Sequence, residues 1–163
     1  MPIVGVLKTI DNDIVCTNST FGFDTAVSFA TEALDRLDTT AHAHSRVIVV
    51  EVMGRHVGWI ALYAGVSGGA DAILIPEVEF DLRRLADAIR RREQRGRRSS
   101  IVVVAEGAVA RGGSAIIQER GTDGRRDRFG GIGAEVGKKL EELTGKEARS
   151  IVLGHLQRGG CTR

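Results

Sequence analysis

The sequence predicts an α/β fold of three layers: a mostly parallel sheet with helices on both faces. Three observations predict it. Apolar runs that are short, mostly β-branched and nearly unbroken suit strands covered on both sides. Helical patterns separate those runs, which implies right-handed crossovers and parallel pairing. Polar residues collect just after the strand runs, where open α/β sheets keep their ligands.

The elements follow in chain order. Strand runs are Ile3 to Leu7, Val47 to Val52, Ala72 to Ile75, Ile101 to Ala105 and Ser150 to Leu153. Helical periodicity covers Phe21 to Leu37 and Val57 to Ala64. It returns in the stripe Leu82, Leu85, Ala86 and Ile89, and again from Ile132 to Leu143. Ala110 to Arg128, rich in Gly and Arg and without periodicity, reads as a surface excursion. With 163 residues, 42% of them hydrophobic and 27% charged, the chain can build one ordinary core and is short for two.

Composition excludes several classes. No apolar run approaches membrane-spanning length, and Met1-Pro2 leads into a strand run without a signal-like segment, so a cytoplasmic protein is expected. Cys16 and Cys161 have neither C-x-x-C spacing nor a histidine cluster, and free thiols are expected. Net charge is +2. The arginines between Arg83 and Arg98 form a basic stretch, but no aromatic residues interleave with them, and a solvated face rather than nucleic-acid binding is expected. The glycine-rich stretch Gly130 to Lys139 fits neither phosphate-loop pattern in register and reads as a loop entering a helix.

The chemistry-bearing string is Lys8-Thr9-Ile10-Asp11-Asn12-Asp13-Ile14. In extended backbone, Asp11 and Asp13 point to one side and Asn12 to the other. Two carboxylates facing one volume can divide the work of phosphoryl transfer, one accepting a hydroxyl proton and the other holding Mg²⁺. A solvated turn is the bland alternative. A calcium loop fails, because Cys16 stands where glycine is needed and Gly22 where a bidentate glutamate is needed.

Three more strings accompany it: Val49-Val50-Glu51-Val52-Met53-Gly54-Arg55, Val103-Val104-Ala105-Glu106-Gly107-Ala108 and Leu153-Gly154-His155-Leu156-Gln157-Arg158-Gly159-Gly160. In order and spacing the four strings resemble the 6-phosphofructokinase family over essentially the whole chain. The resemblance implies a phosphotransferase that moves a phosphoryl group from ATP or pyrophosphate to the 1-hydroxyl of fructose 6-phosphate. It implies Asp11 as general base, Asp13 as Mg²⁺ ligand, and Thr9 and Arg55 as stabilisers of the transferring group, with Lys8 near the donor phosphate. Met53, Gly54 and Glu106 would line the sugar pocket, and His155 and Arg158 would bind the sugar phosphate. Arg46 and Arg149 would reach that phosphate from a neighbouring subunit of a homodimer or homotetramer. By residue type alone a structural histidine is the favoured reading of His155 and a turn cap that of Glu106, and Arg46 and Arg149 could be surface charges at strand starts.

Departures from the family pattern shape the expectation further. Only Met1 to Leu7 precede the first string where the family has a nucleotide-binding half, and Cys161-Thr162-Arg163 follow the last, so both ends are expected to be truncated. Residues 1–20 would end a donor-binding domain, and 21–163 would form the fructose 6-phosphate domain without its C-terminal part. Leu7 replaces a usual proline, Asp38 stands where allosteric bacterial members carry an effector-site arginine, and Lys8 resembles pyrophosphate-dependent members. The isolated chain is expected to be inactive. The alternative is a sugar-phosphate-binding or regulatory module without turnover.

Overall fold

The computed structural model describes residues 2–6, 8–119 and 128–160. Its centre is a four-stranded parallel sheet of order β2-β3-β1-β6, built from β1 (Val47–Val52), β2 (Ala72–Leu74), β3 (Ser100–Ala105) and β6 (Ala148–Val152). Every residue of β1 and β3 is buried, as an unbroken apolar run between two helical layers requires. α1 (Phe23–His44) and α2 (Trp59–Ser67) cover one face, where Ala26, Ala30, Leu34 and Ile60 pack on Ile48, Val50 and Val103. α3 (Leu82–Gln94) and α4 (Ile132–Thr144) cover the other, where Leu85, Ile89, Val136 and Leu140 pack on Val47, Val49, Val102 and Val104.

Local chemistry sets the helix ends. The carboxylate of Asp81 caps α3, accepting from the backbone N–H groups of Arg83 at 2.9 Å and Arg84 at 3.3 Å. Those bonds draw its carboxyl below the usual aspartate range. α1 runs to His44, beyond the Leu37 that periodicity suggests, and stops where Ser45 turns left-handed at φ 54°.

Two expectations are corrected. The run Ile3 to Leu7 forms no strand over its described residues 3–6; Ile3 is 90% and Val4 89% exposed. β-branched composition states only a preference, and a strand exists only where a neighbour takes its backbone hydrogen bonds. Leu7 itself lies outside the described residues, as does Cys161. The excursion from Ala110 is not wholly irregular, since β4 (Ile117–Glu119) pairs antiparallel with β5 (Arg128–Phe129).

Candidate phosphoryl-transfer site

The loop bearing Asp11 and Asp13 is held by its own side chains rather than by a sheet. The Asn12 side chain accepts from the Thr20 N–H at 3.0 Å and donates to the Asn18 carbonyl at 3.3 Å. Thr20, buried, donates its hydroxyl to the Asp11 carbonyl at 3.2 Å, and the Thr9 hydroxyl accepts from the Asp11 N–H at 3.2 Å. Ile10 enters the core beside Phe23. Gly22 must be glycine here, because a Cβ would meet the Thr9 carbonyl and the Ile10 side chain, both at 2.9 Å. A seven-residue motif is thus anchored to the start of α1 by one apolar plug and one polar clasp. Thr20 was not singled out in the sequence; its only signal was a hydroxyl just before a helical pattern.

The exits of β1 and β3 interlock. Gly54, at φ 149°, and Arg55, at φ 54°, both take left-handed backbone after β1. The Glu106 carboxylate, at the exit of β3, accepts from the Arg55 N–H at 3.0 Å and from the Gly54 N–H. Glu106 therefore orients the loop that presents the Arg55 guanidinium. Gly107 lets the two loops meet: a Cβ there would fall 1.7 Å from the Arg55 carbonyl oxygen. Met53 is half-buried and packs against the core.

The third exit leads from β6 into a 3-10 turn, Gly154–Arg158, on which His155 and Arg158 are exposed. Electrostatics ties these pieces together. Partial burial pushes the Asp11 carboxyl above the usual aspartate range, the charge of Asp13 adds to that, and Arg158 and Arg55 draw it back. Burial likewise raises Glu106 against its backbone bonds, helped by the charges of Glu51 and Asp11. Asp11 thus lies within electrostatic reach of Asp13, Arg55 and Arg158, and Glu106 within reach of Asp11. Thr9 is tied to Asp11 through its hydroxyl, and Lys8 is exposed.

One buried carboxylate escaped the sequence reading. Glu51, 2% exposed and on the central strand, accepts from the Gly131 N–H at 3.1 Å on both oxygens and from the Gly133 N–H at 2.8 Å. It satisfies the open N–H groups at the start of α4 with a charge of the favoured sign. Its backbone carbonyl takes the Leu153 N–H at 3.0 Å, so a single residue fixes both the entry to α4 and the strand leading to His155. A charged residue within V-V-E-V was the available signal.

Arg46 and Arg149 do not join these groups. Arg46 directly precedes the six residues of β1, about 20 Å from that strand's exit, and Arg149 is the second of the five residues of β6, about 10 Å before its end. Both are instead bound to Glu147, Arg46 Nε at 2.6 Å and Arg149 Nη2 at 2.5 Å.

Among the described residues no group of three or more metal-ligating side chains is gathered. Asp11 and Asp13 form a two-carboxylate set. That fits Mg²⁺, which keeps several waters and takes one or two carboxylates together with substrate phosphates.

A four-stranded parallel sheet covered by helices on both faces, with Arg55 and Glu106 at its strand exits, defines an α/β protein of the doubly covered class. The phosphofructokinase family model matches residues 1–163, and the chain belongs to that family. It is 59% identical over 159 residues to an ATP-dependent 6-phosphofructokinase of Chloroflexus aurantiacus, covering 98% of this chain and 43% of the relative. It is 54% identical over 161 residues to a pyrophosphate–fructose 6-phosphate 1-phosphotransferase of Streptomyces coelicolor, covering 98% of this chain and 47% of the relative. The solved phosphofructokinase of Saccharomyces cerevisiae superposes with a TM-score of 0.82 at 37% identity, over 97% of this chain and 19% of that one. The chain thus spans less than half the length of the curated relatives it matches.

Proposed function

We propose that these residues form the acceptor side of a 6-phosphofructokinase, which transfers a phosphoryl group from ATP or pyrophosphate to the 1-hydroxyl of fructose 6-phosphate in the cytoplasm. The observation that carries the reading is Asp11: a partly buried carboxyl with a raised pKa, faced by Asp13, Arg55 and Arg158. A raised carboxyl is a stronger base than an exposed one, as proton abstraction from a sugar hydroxyl requires. Arg55, and Thr9 through its hydroxyl, stabilise the charge on the group in transit. His155 and Arg158 hold the sugar phosphate, the guanidinium offering paired donors. Met53, Gly54 and Glu106 border the sugar, with Glu106 keeping Arg55 in place. Asp13, with Asp11 beside it, would hold Mg²⁺, which supplies charge neutralisation between donor and acceptor phosphates.

Residues 1–20 then belong to the donor side and 21–163 to the sugar-phosphate side. The relatives are more than twice as long as this chain, which leaves room for the rest of a donor site outside these residues. Relatives of both donor types match at similar identity, so the donor stays ATP or pyrophosphate. Arg46 and Arg149, remote from the site in one chain, serve the site of a neighbouring copy in a homodimer or homotetramer. The length of the match also supports a second reading, a sugar-phosphate-binding module without turnover.

Nuclear magnetic resonance titration tests the acceptor site. Fructose 6-phosphate should shift the signals of Asp11, Glu106, His155 and Arg158, while fructose should not; equal responses to both sugars would refute a phosphate site. A coupled assay for fructose 1,6-bisphosphate, run with each donor and Mg²⁺, separates the two readings. The chain alone is expected to show no turnover, and steady turnover would place the donor site within these residues.

A further inference from the structure

We infer that Glu147 is a built-in competing anion of the Arg46–Arg149 pair: its carboxylate occupies the seat of a phosphate group and weakens the hold of the two guanidinium groups on any anion that arrives. The inference rests on the assignment of that pair to a sugar phosphate under the proposed function.

The placement is forced by the sheet. β1 and β6 run parallel with Val47 beside Ala148, so Arg46 and Glu147 are lateral neighbours, joined also by the Val47 N–H donating to the Glu147 carbonyl at 3.0 Å. Arg149 lies two residues beyond Glu147 on the same strand run and therefore on the same side. One carboxylate oxygen takes Arg46 Nε at 2.6 Å, and the other takes Arg149 Nη2 at 2.5 Å. The Arg46 side chain is 26% exposed and that of Arg149 62%. Hydrogen bonding to Arg46, with the charge of Arg149 beyond it, draws the Glu147 carboxyl below the usual glutamate range.

Two guanidinium groups that share one planar, bidentate anion are arranged as a phosphate would arrange them. Glu147 leaves the trio with one net positive charge, from two cations and one anion. Its replacement by a neutral amide would leave two. One unit charge within a few ångströms of a dianion in this exposed setting changes affinity about three- to tenfold at low salt, and less as ionic strength rises. A purely structural carboxylate gives the opposite sign, since its loss would let the arginines drift and weaken binding.

The test is a titration of this chain with inorganic phosphate and with fructose 6-phosphate, followed through the side-chain ¹⁵N resonances of Arg46 and Arg149. Glu147→Gln is the test variant, and its exposed position leaves the core untouched. Tightening of both anions by about three- to tenfold at low salt, shrinking as salt is added, is the expected result. Unchanged or weaker binding in Glu147→Gln would overturn the role of Glu147. If Arg46→Ala and Arg149→Ala weaken fructose 6-phosphate binding while Glu147→Gln fails to tighten it, only that role is lost. If neither arginine variant affects fructose 6-phosphate, the assignment of the pair to the sugar phosphate fails and the inference falls with it.

Discussion

Replacing Glu51 by Gln changes one atom's chemistry in the middle of the fold, and the structure sets what that should cost. The carboxylate accepts from two backbone donors, Gly131 N–H on both oxygens at 3.1 Å and Gly133 N–H at 2.8 Å. An amide can keep its one acceptor oxygen at the Oε2 position, which takes both N–H groups, but its NH₂ group then stands where Oε1 accepted from Gly131 N–H, so that N–H loses one of its two acceptors and meets a donor in a site that is 2% exposed. A hydrogen bond to a buried charged group is worth about 1.5–3 kcal/mol. An anion at a helix N-terminus adds about 0.3–1 kcal/mol, and relief of the buried charge offsets part of the loss. The net expectation is a destabilisation of about 1–3 kcal/mol. For a domain of this length that lowers Tm by about 2–12 °C. Urea unfolding followed by circular dichroism measures it, and amide exchange at Gly133 should quicken with it. A variant within about 0.5 kcal/mol of the parent, with unchanged exchange at Gly133, would refute Glu51 as the anchor of α4.

Gly107→Ala should distort the site as well as the fold, because its Cβ would stand 1.7 Å from the Arg55 carbonyl oxygen and the backbone must yield. Overpacking of this kind costs about 1–3 kcal/mol. Wild-type stability together with wild-type fructose 6-phosphate shifts would contradict that close approach. Asp11→Ser should lower kcat for fructose 6-phosphate phosphorylation by orders of magnitude with a much smaller effect on KM, and near-normal kcat would remove Asp11 as the base. Arg158→Ala should raise KM steeply, with Arg158→Lys restoring only part because a point cation cannot make the paired contact; an unchanged KM would move the phosphate pocket elsewhere. Burial raises the Glu106 carboxyl, so the stability its protonated form contributes is full below the unfolded glutamate value and is lost as pH rises through the raised one. A ¹³C titration of Glu106 should give a midpoint above 4.5 that falls in Glu51→Gln, and a midpoint at or below that value would reverse the argument.

What the sequence determined by itself is the layered plan. β-branched runs at 47–52 and 101–105 are nearly self-sufficient signals, because a strand covered on both faces must be apolar throughout. The stripe Leu82, Leu85, Ala86 and Ile89 specifies α3 in the same way. The sequence put Arg55, Glu106 and Arg158 after strand runs, and they stand beyond the ends of β1, β3 and β6. Pairing was not legible. Ile3 to Val6 has strand composition without strand structure, since backbone hydrogen bonds need a neighbour that local sequence does not name. Nor could the chain order announce that Glu51 meets Gly131 and Gly133, eighty or more residues away, or that Glu147 lies between Arg46 and Arg149. Those contacts follow from the register of β1 against β6 and from the packing of α4 on the sheet. Tertiary structure alone decides which buried carboxylate finds its donors, because burial and partner arrive together only when the layers close.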